Sequence, residues 1–229
     1  MSIFLGEFLY DVHQGLRSLI FPQICIMCGM HPGEICSACE KAWSGPPSFT
    51  RFNVVPSVSI AMYESGVSSV ILKAKEERNK CAQMIIAMAL LRAISFLKPK
   101  ELEEFVIVPI PSTPHAIRRR GESFLQPILD LVIEQAAHVG QKWCWRELLL
   151  HSKKVQDQAG LTSQQRQVNL EGVFRVREGA SEQRPIIVVD DVVTTGATLR
   201  NAISALNERN MTVLGAATAC ASSHQLLIR

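Results

Sequence analysis

The chain has 229 residues, 47% of them hydrophobic and 20% charged, so it is neither a disordered tail nor a fibrous repeat, and it can bury a core without disulfide staples. Its formal net charge of +3 does not establish a nucleic-acid partner and fits an acidic ligand in a local basic pocket equally well. The most apolar run, Met84 to Leu91, lies between Gln83 and Arg92 and falls far short of the roughly twenty residues that cross a bilayer. Glu7, Asp11 and His13 interrupt what would have to be the apolar part of a signal peptide. The expectation is a cytoplasmic protein without membrane insertion, in which seven cysteines argue for metal or buried thiols rather than a disulfide framework.

Along the chain, Leu5, Phe8, Leu9, Val12, Leu16, Leu19 and Ile20 recur at helical spacing and predict an amphipathic helix over residues 3 to 20, ended by Pro22. Its acidic polar face favours docking on its own domain over a membrane surface. Cys25-x2-Cys28 and Cys36-x2-Cys39 follow, seven residues apart. Each pair can grip one ion, and two such pairs complete a tetrahedral zinc site; four thiolates saturate the metal, so the site is structural. Gly45-Pro46-Pro47-Ser48 reads as a linker, dividing the chain into an N-terminal helix and zinc finger (1–47) and a larger domain (48–229).

In that domain, Val54 to Met62 predicts a strand, Ser65-Gly66 a turn, Val67 to Leu97 a largely helical stretch, and Phe105 to Ile110 a buried strand stopped by Pro109 and Pro111. Residues 112 to 123 read as a basic loop with Arg118, Arg119 and Arg120 in a row. Arginine forks pair bidentately with phosphate oxygens, although most charge runs are simply solvated. Residues 124 to 138 predict a helix with Pro127 in its first turn, and the polar, glutamine-rich stretch 151 to 172 predicts a long mobile loop. Ile186 to Val189 is a buried-strand signature, residues 198 to 208 a helix and Met211 to Ala219 a last strand. Strands alternating with helices give an α/β class with a mainly parallel sheet.

The most informative segment runs from Ile186 to Thr198. A buried strand delivers Asp190 and Asp191, then Val192, Val193, Thr194, Thr195, Gly196 and Ala197 lead into a helix at Thr198. Ligands of open α/β sheets bind beyond the carboxyl ends of strands. Amides at a helix start, threonine hydroxyls and a glycine that permits close backbone approach make a phosphate cradle. Adjacent carboxylates repel a phosphate but accept hydrogen bonds from vicinal hydroxyls. A phosphate beside a diol describes a ribose 5-phosphate. An Asp pair that only caps a helix is the plain alternative, but capping needs one such residue, not the whole run.

This run resembles the signature with which type I phosphoribosyltransferases bind 5-phosphoribosyl 1-pyrophosphate (PRPP). The resemblance implies that Asp190 and Asp191 hold the ribose 2- and 3-hydroxyls, and that Thr194, Thr195, Gly196 and Thr198, with their amides, hold the 5-phosphate. The wider pattern resembles the ComF family, which includes competence proteins for DNA uptake. The cysteine pairs, Leu72-Lys73, Val108-Pro109-Ile110-Pro111, an Arg-Gly element and Gln158-x2-Leu161-x4-Arg166-x2-Asn169-x4-Phe174 stand in that family's order. The family's Arg-Gly-Phe-Asn-Gln element is here Arg120-Gly121-Glu122-Ser123-Phe124-Leu125-Gln126, a small insertion with the Asn lost, and Ala74 and Val155 replace a usual aromatic residue and a usual threonine.

By this resemblance Arg118, Arg119 and Arg120 face pyrophosphate, with Arg118 also placed among the catalytic residues beside Asp190 and Asp191. Lys73 adds charge, and Gln158, Arg166 and Asn169 contact PRPP from the polar stretch. Mg²⁺ accompanies PRPP, and a nitrogen nucleophile displaces pyrophosphate at C1. Thr194 stands where purine salvage members carry a carboxylate, which points away from a purine acceptor. Residues 1 to 53 are too short for the glutaminase domain of an amido-type enzyme, and Ser2 stands where its cysteine nucleophile would. The family's link to transformation makes single-stranded DNA and a competence helicase the partners of an alternative reading. In that reading the protein is a non-enzymatic accessory factor with PRPP as regulatory ligand. A salvage enzyme for a pyrimidine-like acceptor is a third reading.

Overall fold

The computed structural model describes residues 24–30, 33–52, 55–152 and 172–222; the helix expected over residues 3 to 20 lies outside them. The second cysteine pair opens α1 (Ser37–Ser44). β1 (Ser48–Phe52) and β2 (Val55–Met62) pair antiparallel, and α2 (Ser65–Glu76), α3 (Lys80–Leu97) and β3 (Val106–Pro109) follow. α4 (Pro114–Arg120) and α5 (Leu125–His138) lead to a short antiparallel pair, β4 (Leu149–His151) with β5 (Phe174–Val176). The described chain closes with β6 (Ile186–Val193), α6 (Ala197–Asn207) and β7 (Val213–Ala221).

Five strands form one sheet in the order β1-β2-β7-β6-β3, in which all neighbours but β1 and β2 run parallel. The expected α/β class with a mainly parallel sheet is therefore the observed one. Parallel neighbours need crossovers, and helices supply them over both faces. Side chains alternate along a strand, so Ile187, Val189, Ala217 and Ala219 join the core with α3 and α5. Ile186, Val188 and Ala216 join the opposite core with α6 and the β4–β5 pair. Small residues bring α3 close to the sheet. A Cβ added at Gly215 of β7 would stand 2.8 Å from Leu97 Cδ2 and 3.0 Å from the Pro56 carbonyl oxygen, so the close approach depends on glycine.

Several expectations need correction. The single helical stretch over 67 to 97 is two helices. Asn79 accepts a hydrogen bond from the Ala82 amide at 3.0 Å and starts α3, and Arg78 turns the chain with φ +52°. Six residues without an apolar side chain, Lys75 to Lys80, mark the break together with the capping residue. α3 is also long and apolar enough to cross a membrane by length and composition, which a reading that stopped at Gln83 and Arg92 missed. Much of its apolar surface, including Ala82, Ile86, Leu90 and Ile94, is buried in the protein core.

The basic loop contains α4. Thr113 caps it by accepting from the Ala116 amide, Pro114 opens it, and Gly121 at φ +83° ends it. The stretch read as a linker ends in β1, and β4 and β5 flank the polar stretch 151 to 172. Strands of three residues are too short to show a period. The segment carrying Gln158, Arg166 and Asn169 lies outside the described residues. β6 is longer than the four residues that announce it and carries both aspartates within the strand.

Replacing Asn79 with Ala should lower unfolding free energy by about 1 kcal/mol through the lost cap, read as a lower midpoint with unchanged slope in urea. An unchanged midpoint would refute the capping role.

Candidate functional site

The four cysteines of the two pairs converge. The Sγ atoms of Cys25, Cys28, Cys36 and Cys39 all lie within 4.8 Å of one another, with Cys28 and Cys36 at 3.9 Å. A tetrahedral ZnS₄ centre with Zn–S of about 2.3 Å spaces its sulfurs by about 3.8 Å, so the cluster fits that ion. Burial alone would raise the Cys25 thiol, yet backbone hydrogen bonds from Cys28, Cys36 and Met27 draw it down to about 6. Burial and the Cys36, Cys25 and Cys28 sulfurs push Cys39 up to about 12. The group favours one thiolate and resists more, a conflict that a divalent cation removes by displacing the protons.

The cluster is fastened to the larger body rather than hung from it. Ile26 and Trp43 sit in the core with α3 and α5. Trp43 Nε1 donates to Met27 Sδ at 3.2 Å, and Arg92 donates to the carbonyls of Trp43 and Gly45. Lys73 Nζ donates to the Ile26 carbonyl at 3.0 Å. Lys73, expected near pyrophosphate, thus ties α2 to the cysteine segment.

The second constellation forms where β2, β3 and β6 end at the same sheet edge. Asp190 and Asp191 are consecutive residues near the end of β6, and their carboxyl groups interact with each other. Asp191 is buried and Asp190 half-buried. Asp190 Oδ1 accepts from the Asp191 amide at 2.9 Å. Burial, and then the neighbouring Asp191 carboxylate, push the Asp190 carboxyl well above its ordinary range, with Lys75 opposing. Asp191 Oδ2 lies 2.6 Å from Lys75 Nζ. Sequence reasoning missed Lys75. Two residues along a helix turn a side chain by about 200°, so when Lys73 faces the cysteine segment, Lys75 faces the strand ends; the helical span around the Leu-Lys pair was the available signal.

Lys75 also links the aspartates to the arginines. Its Nζ lies 5.1 Å from the centre of the Phe124 ring, and the Arg120 guanidinium lies 5.9 Å from the same ring. Phe124, the aromatic residue of the altered Arg-Gly element, is held by its amide, which donates to Ser112 Oγ at 3.3 Å. Arg119 and Arg120 both point at Glu76 Oε1, at 2.7 and 3.3 Å. Arg78 donates to the Arg120 carbonyl and pairs with Glu122 at 3.4 Å. Arg118 is exposed and makes no ion pair among the described residues.

Beyond the aspartates, Val192 and Val193 complete the ladder with Cys220 and Ala221, and Val193 is buried in the core. Thr194, Thr195 and Thr198 are exposed around the start of α6, with Ala197 half-buried. Gly196 at φ +71° sits where an added Cβ would overlap the Phe52 ring, so both its conformation and the space exclude a side chain. The β4–β5 pair borders this edge, with His151 Nε2 3.0 Å from the Pro111 carbonyl. A cavity of 590 Å³ lined by Lys98, Lys100, Phe105, Lys142 and Arg184 opens instead at the opposite edge, where β3 begins, and contains none of the residues singled out above.

Residues 116–227 match the family model of the phosphoribosyl transferase domain. The match spans the arginines of α4, the β6 aspartates and the threonine loop, whereas the ComF resemblance rests on the quoted residues alone. Among solved structures the chain is similar to the crystal structure of orotate phosphoribosyltransferase from Aeropyrum pernix, at 15% identity over 79% of this chain and 88% of that one, with a TM-score of 0.33. No curated protein matches the chain at a significant level.

The purified protein should carry about one zinc per chain, and Cys36→Ser with Cys39→Ser should remove it, as read by elemental analysis; full retention would refute the Cys₄ assignment. Gly196→Ala should cost at least about 1–2 kcal/mol, because a left-handed non-glycine residue is strained and displaces Phe52. Thermal unfolding at the wild-type temperature would refute that packing.

Proposed function

We propose that the phosphoribosyl transferase domain binds PRPP at the carboxyl edge of β2, β3 and β6 and transfers ribose 5-phosphate to a nitrogen nucleophile. The observation that supports this best is the exit of β6: two carboxylates side by side, then an exposed threonine loop and a helix start. In this reading Asp190 and Asp191 accept hydrogen bonds from the ribose 2- and 3-hydroxyls. The hydroxyls of Thr194, Thr195 and Thr198, with the amides at the start of α6, bind the 5-phosphate, favoured by the helix dipole. Arg118, Arg119 and Arg120 bind the pyrophosphate oxygens as planar forks.

The reaction forms a bond from nitrogen to C1 and breaks the bond from C1 to the pyrophosphate oxygen. As that bond breaks, negative charge grows on the leaving group and positive charge on the ribose ring. The arginines stabilise the first, and holding the ribose by its two hydroxyls and its phosphate aligns C1 for attack. Asp190 and Asp191 are the residues fit to face Mg²⁺ through the diol. Asp191 is buried with Lys75 as its ion-pair partner, and burial and then the neighbouring carboxylate push the Asp190 carboxyl well above its ordinary range, a penalty that a nearby cation would relieve. When bound, Mg²⁺ would neutralise charge on pyrophosphate.

A second reading keeps the ligand and drops the turnover. Glu76 already engages Arg119 and Arg120, which suits a protein that senses PRPP and acts through single-stranded DNA or a helicase, as the ComF resemblance implies. Release of pyrophosphate from PRPP in the presence of a nitrogen acceptor separates the two.

The double variant Asp190→Asn, Asp191→Asn should abolish calorimetric binding of Mg-PRPP and leave the zinc in place. Wild-type affinity in a folded double variant would overturn the site.

A further inference from the structure

Resting on the PRPP reading, we infer that the adjacent residues Lys75 and Glu76 at the end of α2 are a built-in occupant of the ligand site, so that PRPP binds by exchanging ion pairs rather than by filling a free pocket. Lys75 places an ammonium 2.6 Å from Asp191 Oδ2, the carboxylate that faces the ribose diol in this reading. Glu76 places a carboxylate oxygen 2.7 Å from Arg119 Nη2 and 3.3 Å from Arg120 Nη2, where pyrophosphate oxygens would lie. One dipeptide thus presents a cation to the acidic half of the site and an anion to the basic half. Its charges have the polarity that ligand binding would restore.

The geometry makes the exchange feasible. Glu76, Arg119 and Arg120 side chains are 43%, 55% and 16% exposed, and exposed pairs of this kind hold weakly. A pyrophosphate carries more negative charge than one carboxylate and meets each guanidinium with two oxygens. Glu76 is therefore a weaker anion of the same type, displaced by the stronger one. Phe124 stays under Lys75 and Arg120 and keeps both cations near the site when their partners leave. The consequence is attenuation. A ligand lacking pyrophosphate leaves Glu76 on the arginines, so Glu76 weakens the binding of PRPP and of pyrophosphate and leaves that of ribose 5-phosphate unchanged.

The test is calorimetric titration of inorganic pyrophosphate, Mg-PRPP and ribose 5-phosphate into the zinc-loaded full chain and into Glu76→Gln. Glu77→Gln serves as a control, because it removes the same charge from the exposed neighbouring residue of the same turn. The expected result is that Glu76→Gln binds pyrophosphate and PRPP about fivefold more tightly, that Glu77→Gln changes either by less than twofold, and that ribose 5-phosphate affinity is the same in all three proteins. Equal or weaker binding of pyrophosphate by Glu76→Gln, with wild-type PRPP binding intact, overturns the exchange and leaves the PRPP site standing. An equal gain in Glu77→Gln overturns it too, since the effect is then long-range charge alone. Absence of PRPP and pyrophosphate binding in all three overturns the PRPP site and the exchange together.

Discussion

The parallel alignment of β2, β7, β6 and β3 is the constraint on which the rest depends. Parallel strands end together, so every crossover that leaves them must start from one edge of the sheet. The start of α2 after β2, the turn into α4 after β3 and the threonine loop after β6 are gathered there by topology before any side chain makes contact. The hydrophobic faces on either side keep the alignment, with Ile187 and Val189 on one and Ile186 and Val188 on the other. A strand buried on both faces can be apolar throughout, which is why two aspartates at the end of β6 stand out.

At that edge the electrostatics close on themselves. Asp190 and Asp191 cannot both ionise cheaply in a half-buried place, and Lys75 compensates one of them. Arg119 and Arg120 bring two positive charges together, with Arg120 over the Phe124 ring, and Glu76 compensates them. Lys75 and Glu76 thus each compensate charge of the opposite sign at this edge. The two aspartates and the arginines belong to crossovers more than sixty residues apart in the chain; α2, from a third crossover, holds both ends of the charge network.

The cysteine cluster bears on the same helix. Lys73 reaches from α2 to the Ile26 carbonyl beside Cys25, while Lys75 two residues on reaches Asp191. Gly66, near the start of α2, faces Met27, whose Cε would lie 2.8 Å from an added Cβ. A structural metal in the cluster would therefore steady the helix that carries the Lys75–Glu76 pair, so the finger and the strand-end site share one mechanical element.

Much was legible in the chain before folding. The two cysteine pairs, the buried strand ending in two aspartates and the threonine–glycine loop declare themselves through spacing and composition, because ligand sets and phosphate cradles need particular residues at short range. The class of sheet follows from alternating strand and helix patterns in the same way. What the reading did not resolve were the break at Asn79, where a polar run from Lys75 to Lys80 can equally be the exposed turn of one long helix, and the three-residue strands β4 and β5. Lys75 was invisible for a different reason: its role depends on which face of α2 meets the end of β6, and Lys73, beside the recognisable Leu-Lys pair, was the more conspicuous charge. Local chemistry thus set the kinds of group present and their order along the chain. Only the tertiary structure decided which acid meets which base, because long-range pairing is fixed by the packing of helices on the sheet and not by any spacing in sequence.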